Sequence, residues 1–93
     1  TYGDWVQTCA LPISMRKAND TVFGLAGYLF TRDLKTAILA AEKIECGIVG
    51  VNDVVPTTPQ CPFGGIKESG FGREGGYQGI DEFLYTKYIC TGL

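Results

Sequence analysis

The sequence predicts an α/β fold built around one strand–helix–strand unit, and three observations support this prediction. Two short apolar runs, residues 25–30 and 48–51, lack polar alternation, which is typical of strands buried on both faces. Between them, apolar residues recur every three or four positions over residues 33–46, which indicates an amphipathic helix. This order and spacing predict two parallel strands joined by a helical crossover.

The predicted helix has its own start and stop signals. Asp33 is a suitable N-cap, because its carboxylate can accept hydrogen bonds from the free amides of the first turn. Gly47 stands where a left-handed C-terminal cap is expected. The face predicted to be apolar consists of Leu34, Ala37, Ile38, Ala41 and Ile44. We therefore expect one side of the helix to pack on the strands.

The rest of the chain is poor in regular patterns. Residues 53–76 show no periodicity and hold three of the four prolines and six glycines, which predicts a long Gly-rich loop. Residues 77–84 are predicted to form a short helix, and residues 85–90 have the β-rich composition of a final strand. A parallel sheet needs helices on both faces, and one good helix is too few. The chain is therefore expected to be part of something larger.

Composition excludes several function classes. The 93 residues carry a net charge of −2 and no histidine, so His-based triads and His-ligated zinc are excluded. Eight Lys and Arg give no basic footprint for nucleic acid or an anionic membrane. No run approaches the ~18–20 apolar residues of a membrane span. The four cysteines (Cys9, Cys46, Cys61 and Cys90) form no C-x-x-C pair, so we expect no metal site, and reduced, mostly buried thiols in a cytoplasmic protein.

Two local motifs invite a functional interpretation that their context does not support. Residues 70–75 match G-x-G-x-x-G, but they follow no strand and no acidic ribose partner lies about 20 residues on, so a dinucleotide cradle is not predicted. Cys61 is a tempting nucleophile, yet only Lys67 is available to lower its pKa, and a packed or idle thiol is favoured.

The charge run that includes Arg73 fits either a solvated loop or a shaped, close-approach loop.

The Gly-rich loop resembles a known family signature. Residues 62–76 read Pro-Phe-Gly-Gly-Ile-Lys-Glu-Ser-Gly-Phe-Gly-Arg-Glu-Gly-Gly, which is similar to the C-terminal signature of NAD(P)-dependent aldehyde dehydrogenases. Residues 18–34 and 47–52 resemble the segments that precede this loop in the family. The ending, residues 87–93, is most similar to the succinate-semialdehyde branch. The resemblance runs from about Met15 to Leu93 in the family's order and spacing.

The resemblance implies a chain several times longer, with a cofactor domain, an α/β catalytic domain and an oligomerisation element. In the family, a cysteine thiolate attacks the aldehyde, hydride passes to nicotinamide, and a glutamate activates the water that releases the carboxylate. Both catalytic residues lie upstream of this region in the family. We therefore expect no catalytic, cofactor-binding or metal-binding residue here. NAD or NADP would bind the full-length enzyme and not this fragment alone.

The resemblance also implies roles for individual residues. Phe63 matches the aromatic residue that lines the family's substrate tunnel, and Thr57 or Thr58 could hold the distal carboxylate of a semialdehyde. The segment around these threonines departs from the branch's common serine-bearing pattern, which leaves the substrate open. The residues expected at the oligomer interface are Arg73, Tyr85, Lys87, Tyr88 and Ile89. Many members carry a glutamate where Tyr85 stands, paired with arginines that include the one matching Arg73. With tyrosine there, those arginines need other partners.

The predicted organisation has three parts. Residues 1–14 match nothing in the family and are predicted to be a disordered or artefactual leader. Residues 15–76 are predicted to be part of a catalytic domain, with the substrate-tunnel loop at 53–76, and residues 77–93 the short helix and oligomerisation strand. The expected protein is a cytoplasmic homo-oligomer, dimeric or tetrameric, acting on a small aldehyde, foremost succinate semialdehyde. The alternatives are another semialdehyde, or a stand-alone α/β module for assembly.

Overall fold

Three helices and four short strands make up a computed structural model that describes the backbone of residues 2–92 and the side chains of residues 11–92. In chain order the elements are α1 (Tyr2–Asn19), β1 (Phe23–Gly24), β2 (Ala26–Leu29), α2 (Leu34–Lys43), β3 (Ile48–Val51), β4 (Ile66–Lys67) and α3 (Gln78–Asp81). None of these helices is long and apolar enough to cross a membrane.

The predicted strand–helix–strand unit is present. Strands β2 and β3 pair in parallel, with Ala26 opposite Ile48 and Leu29 opposite Val51. Helix α2 connects the two strands and contacts both of them. Just past the paired strands, the side-chain amide of Asn52 accepts from the Thr31 amide and donates to the Thr31 carbonyl, each at 2.9 Å. The α/β prediction is therefore confirmed, and the end of the parallel pair is fixed by an amide side chain.

Helix α2 begins as the sequence predicts. Asp33 is the N-cap, and its Oδ2 accepts from the Thr36 amide at 2.9 Å and from the Thr36 hydroxyl. Both bonds favour the ionised carboxylate, so the hydroxyl bond first and the amide bond second hold the pKa of Asp33 below its ordinary value. The first turn therefore has a charged cap throughout the neutral pH range.

The end of α2 differs from the prediction. The helix stops at Lys43, with Ile44 as its C-cap, and Gly47 does not take a left-handed conformation. The side-chain amide of Asn19, at the end of α1, donates to the Lys43 carbonyl at 2.9 Å and accepts from the Glu45 amide at 2.8 Å. A side chain 24 positions away from Lys43 thus supplies the cap that the local sequence assigns to glycine.

Gly47 is required for close approach instead. Its amide donates to the Gly24 carbonyl at 3.0 Å, which holds this turn against β1. A Cβ at position 47 would lie 1.8 Å from the carbonyl oxygen of Gly64 and 3.0 Å from the Cα of Gly65. Both neighbours are backbone atoms of the Gly-rich loop. The absence of a side chain at Gly47 therefore lets that loop pack directly on the strand–helix–strand unit.

The apolar surface of this unit is mostly uncovered. Among the residues with described side chains, Ala40 is the only apolar one counted as buried, at 2% exposure. Leu34 and Ile38, predicted for the packing face of α2, are 74% and 50% exposed. Tyr28 and Phe30 also lie exposed. The prediction that the strands are buried on both faces is therefore wrong for this chain taken alone, because it holds one helix against one face of the pair.

The Gly-rich loop is more ordered than the sequence predicts. Strand β4 lies inside it and pairs with β1 in antiparallel orientation, with Phe23 opposite Lys67 and Gly24 opposite Ile66. An isolated antiparallel bridge joins Phe63 to Glu74. These contacts link residues that are far apart in the sequence, and periodicity within the loop carries no signal of them.

The C-terminal region contains a shorter helix than predicted and no strand within residues 84–92. Helix α3 has four residues, where the sequence suggests a helix over 77–84. The predicted strand over 85–90 pairs with no strand in the described residues. Tyr85 is 100% exposed and Tyr88 is 86% exposed. A β-rich segment forms a strand only beside a neighbouring strand, and within residues 2–92 no strand pairs with it.

The first described residues form a helix. Helix α1 runs from Tyr2 through Pro12 to Asn19, across the segment up to residue 14 for which the sequence predicts a disordered or artefactual leader. That this leader lies outside the family fold stays a prediction.

Some apolar residues in the α1 sequence recur every four positions, such as Trp5, Cys9 and Ile13, but others, such as Leu11 and Met15, fall on the opposite side of a helix. Pro12 lies inside the helix without an amide to donate. The one-sided periodicity that reveals α2 is therefore weak in α1.

Candidate functional site

The candidate site is built on the part of the Gly-rich loop that folds back on itself. The Phe63 amide donates to the Glu74 carbonyl at 2.7 Å, and the Glu74 amide donates to the Phe63 carbonyl at 2.8 Å. The Gly76 amide donates to the Pro59 carbonyl at 2.9 Å. These bonds place residues 59–63 beside residues 74–76, and a cleft opens on one side of the pair.

The cleft brings together the three residues predicted to bind substrate. It measures about 400 Å³ and is lined by Thr57, Thr58, Pro59, Cys61, Phe63, Glu74 and Gly75. The side chain of Phe63 is 38% exposed, so part of its ring remains available to a ligand. The cleft thus combines an aromatic wall with two hydroxyl-bearing residues, which suits a ligand with one apolar and one polar end.

The two threonines differ in their hydrogen bonding. The Thr58 hydroxyl donates to Oε1 of Gln60. A hydroxyl has a single proton to donate, so that of Thr58 is already used within the loop. Thr57 is therefore the better donor to an anionic group. No Lys or Arg lines this cleft, so any cation that neutralises such a group has to come from elsewhere.

A larger cleft lies on the other side of Phe63, between the loop and α3. It measures about 830 Å³, and its lining includes Phe63, Phe71, Arg73, Glu82 and Phe83. Phe71 and Phe83 are among the most exposed apolar side chains of the chain. We favour the smaller cleft as the ligand site, because it holds the two threonines and is not bordered by fully exposed aromatic rings. Phe63 contributes to both clefts.

Arg73, predicted for the oligomer interface, is held inside the loop. Its Nη1 donates to the Gly65 carbonyl at 2.9 Å and to the Gly72 carbonyl at 2.7 Å. Its backbone amide donates to Oε1 of Glu82 at 3.3 Å. Sequence reasoning did not find these partners, and the flanking glycines, which leave carbonyls accessible, are the signal that could have indicated them.

Lys67 and Ser69 anchor the loop to the rest of the fold. The Lys67 ammonium lies 2.5 Å from Oε2 of Glu45 and donates to the carbonyls of Asn19 and Thr21 at 3.2 and 3.3 Å. The Ser69 hydroxyl accepts from the Gly24 amide at 2.9 Å. Sequence analysis placed Lys67 in a charge run of the loop. In the structure Lys67 joins the loop to the ends of α1 and α2.

The predicted interface residues near the C-terminus lie apart from both clefts. Tyr85, Lys87, Tyr88 and Ile89 line neither cleft. Ile89 is 72% exposed, like the tyrosines described above. The structure therefore separates Arg73 from the other four residues with which it was grouped.

The three thiols with described side chains are free and differ in environment. Cys61 and Cys90 are exposed, in contrast to the expectation of mostly buried thiols, whereas Cys46 is partly buried and donates to the Ile48 carbonyl at 3.0 Å. Burial raises the pKa of the Cys46 thiol. The side chain of Cys9 lies outside the described residues.

This difference predicts an order of reactivity. Because thiolate is the reacting species and Cys46 is less accessible, Cys46 is expected to be alkylated by iodoacetamide at pH 8 more slowly than Cys61 or Cys90. Peptide mass spectrometry over a time course measures the three rates in one sample. Equal rates at the three sites would contradict the burial of Cys46.

The described residues do not form a nucleotide cradle or a metal site. Gly70, Gly72 and Gly75 of the G-x-G-x-x-G motif all have positive φ, but the motif opens no helix, since α3 begins only at Gln78. A pyrophosphate cradle of that type needs a strand before the glycines and a helix N-terminus after them. Over the part of the chain that the structure describes, no group of three or more His, Cys, Asp or Glu is placed to hold a metal ion.

Comparisons with known proteins identify similar chains. The model of the aldehyde dehydrogenase family matches residues 13–89. An aspartate-semialdehyde dehydrogenase (non-phosphorylating) of Halomonas elongata is 53% identical over 75 residues, covering 81% of this chain and 15% of that protein. The NADP(+) succinate-semialdehyde dehydrogenase of Escherichia coli is 51% identical over 77 residues, covering 83% and 16%.

Comparison with solved structures also identifies a similar dehydrogenase. The crystal structure of succinate-semialdehyde dehydrogenase from Burkholderia pseudomallei superposes with a TM-score of 0.84 at 44% identity, covering 89% of this chain and 17% of that one. The chain therefore spans about one sixth of the length of these relatives.

Proposed function

The chain belongs to the aldehyde dehydrogenase family, and from this premise we propose that it forms part of an enzyme that oxidises a semialdehyde, foremost succinate semialdehyde, to a carboxylate with NAD or NADP. The observation that carries the proposal is the cleft that joins the Phe63 ring to the Thr57 hydroxyl. A semialdehyde has a short apolar chain between an aldehyde and a carboxylate. The Phe63 side of the cleft suits the methylene chain of the substrate, and the Thr57 side suits its carboxylate.

The residues of this chain would bind and orient substrate rather than perform the reaction. The Phe63 ring would pack against the methylene groups and exclude water from them, which lowers the entropy cost of presenting the aldehyde. The Thr57 hydroxyl would donate to the distal carboxylate, while that of Thr58 stays bonded to Gln60. The cation that completes the carboxylate site, the thiolate nucleophile and the general base would come from other parts of the enzyme.

The exposed apolar surface supports a location inside a larger protein. The strand pair leaves Tyr28 and Phe30 uncovered, and the helix leaves Leu34 and Ile38 uncovered, and exposed large apolar side chains of this kind mark a surface that further protein covers. In the proposed enzyme, further chain covers both. Residues 15–76 would form a C-terminal piece of the catalytic domain, and the family signature in residues 62–76 supports this placement.

The C-terminal segment supports assembly with a second subunit. Tyr85, Lys87, Tyr88 and Ile89 lie exposed in a β-rich segment without a strand partner in residues 2–92. We propose that this segment adds to the sheet of a neighbouring subunit, in a dimer or tetramer. We also propose that the enzyme is cytoplasmic.

A second candidate substrate has a specific observation in its favour. The Halomonas elongata relative, whose name specifies aspartate semialdehyde, is slightly more similar in sequence than the Escherichia coli one. Both substrates share a distal carboxylate, so the cleft serves either. The two differ by an amino group, which a carboxylate of the enzyme would bind.

A stand-alone module for assembly is the other alternative. It would show cooperative unfolding of the isolated 93-residue chain.

A chimera tests the proposed function. In the Escherichia coli succinate-semialdehyde dehydrogenase, the matching 77-residue stretch is replaced by the corresponding stretch of this chain. The chimera is expected to form NADPH from succinate semialdehyde, whereas the 93-residue chain alone is expected to form none, because the reacting groups lie outside it. A folded chimera without activity toward any semialdehyde, or turnover by the chain alone, would contradict the proposal.

A further inference from the structure

We propose that Arg73 is a positioning residue for the substrate cleft: its guanidinium clamps the Gly65 and Gly72 carbonyls and thereby fixes the Phe63–Glu74 pairing. The inference rests on the proposed function for its kinetic consequence. It assigns Arg73 partners inside its own subunit, where Tyr85 replaces the glutamate with which the matching arginine pairs in many family members.

The clamp connects both sides of the folded-back loop. Gly65 lies two residues after Phe63, and Gly72 lies two residues before Glu74. Arg73 donates to both carbonyls from the same nitrogen, at 2.9 and 2.7 Å. The only backbone bonds between Phe63 and Glu74 are the two of their isolated bridge. An isolated bridge is weak by itself, and charge-assisted bonds to the flanking carbonyls hold its ends together.

Gly64 provides the room that the clamp needs. A Cβ at position 64 would lie 2.8 Å from Cδ and 3.0 Å from Nη1 of Arg73, and 2.4 Å from the Gly72 carbonyl oxygen. The arginine side chain therefore passes directly over the backbone next to Phe63. The lack of a side chain at Gly64 is therefore what allows the guanidinium to reach the Gly65 and Gly72 carbonyls beside Phe63.

The other end of the clamp is fixed by Glu82. Its carboxylate accepts from the Arg73 amide at 3.3 Å and leaves the guanidinium free for the two carbonyls. Tyr85, which stands where many family members carry an arginine-binding glutamate, is 100% exposed. Arg73 therefore has no carboxylate from position 85 to draw it away from the loop.

The test compares Arg73→Ala, Arg73→Lys and the matched control Arg32→Ala in the chimera. Arg32 is an exposed arginine outside both clefts, so its replacement removes the same charge without touching the loop. Arg73→Ala is expected to raise KM for succinate semialdehyde about tenfold or more and to change kcat less than about threefold. The KM of Arg73→Lys is expected to lie between those of the parent and of Arg73→Ala, since an ammonium does not reproduce the guanidinium geometry. Arg32→Ala is expected to match the parent.

Amide hydrogen exchange gives a readout that does not depend on activity. In Arg73→Ala, the Phe63 and Glu74 amides are expected to exchange about tenfold faster or more, while the Asn52 amide at the end of β3 keeps its rate. Loss of kcat with KM unchanged, full rescue by lysine, or unaltered exchange at Phe63 and Glu74 would overturn the proposal. If the parent chimera is inactive, the proposed function fails, and the exchange rates still decide the role of Arg73.

Discussion

Replacement of Gly47 by alanine is expected to remove most of the soluble, active enzyme from the chimera. The new Cβ would lie 1.8 Å from the Gly64 carbonyl oxygen, so either the α2–β3 turn or the Gly-rich loop has to move. Both are backbone, and the loop is tied down by Lys67 and Ser69. Overpacking typically costs about 1–3 kcal/mol, and a backbone clash this short is expected to reach the upper end of that range. The midpoint of thermal inactivation and the soluble yield measure the effect.

Gly92→Ala is the matched control for this change. A Cβ at position 92 meets nothing within 4 Å, so the same chemical substitution is expected to leave yield and inactivation midpoint unaltered. If Gly47→Ala behaved like Gly92→Ala, the loop would not be packed against the strand–helix–strand unit as described.

Thr57→Val is expected to produce the largest loss of substrate affinity among the cleft variants. Valine keeps the shape of threonine and removes the donor to the distal carboxylate. A hydrogen bond to a charged group is worth about 1.5–3 kcal/mol, which corresponds to a KM for succinate semialdehyde raised by about 10- to 150-fold. Initial-rate kinetics of the chimera and of its Thr57→Val variant, at saturating NADP(+), measure this change in KM.

Thr58→Val and butanal provide the two controls. Because the Thr58 hydroxyl is bonded to Gln60, its removal is expected to change KM less than about threefold. Butanal lacks the carboxylate, so Thr57→Val is expected to leave its KM unchanged. The reverse order, with Thr58→Val the more damaging variant, would assign the substrate contact to Thr58.

Local patterns predicted the elements whose contacts are local. The parallel pair follows from two apolar runs, and the start of α2 follows from the Asp33 carboxylate and the amides of its own first turn. The end of α2 did not follow, because its cap comes from Asn19, which is distant in sequence. Helix α1 was missed because its apolar residues fall on both sides of a helix, which leaves the sequence weakly amphipathic.

The candidate site was predictable in its residues but not in its arrangement. The family signature in residues 62–76 indicated Phe63, and the carboxylate-binding role indicated the two threonines. The distinction between Thr57 and Thr58 needed the position of Gln60, and the clamp needed the positions of Gly65 and Gly72. Both depend on how the loop folds back at Phe63 and Glu74, which no periodicity within the loop encodes.

The burial of the strands was predicted wrongly for the chain alone, and the reason is physical. The apolar composition of β2 and β3 is suited to cover on two faces, while the described chain places α2 on the pair and leaves Tyr28, Phe30 and Ile38 exposed. Composition thus describes the environment of a strand in the whole protein, and the proposed enzyme provides that environment.

In the proposed enzyme, the cleft around Thr57 and Phe63 selects aldehydes with a distal carboxylate. The most direct measurement is the ratio of kcat/KM for succinate semialdehyde to kcat/KM for butanal, in the chimera and in its Thr57→Val variant. We expect the ratio to exceed about 10 in the chimera and to fall by about 10-fold or more in the variant. A ratio near unity in the chimera, or a ratio that Thr57→Val leaves unchanged, would contradict the claim.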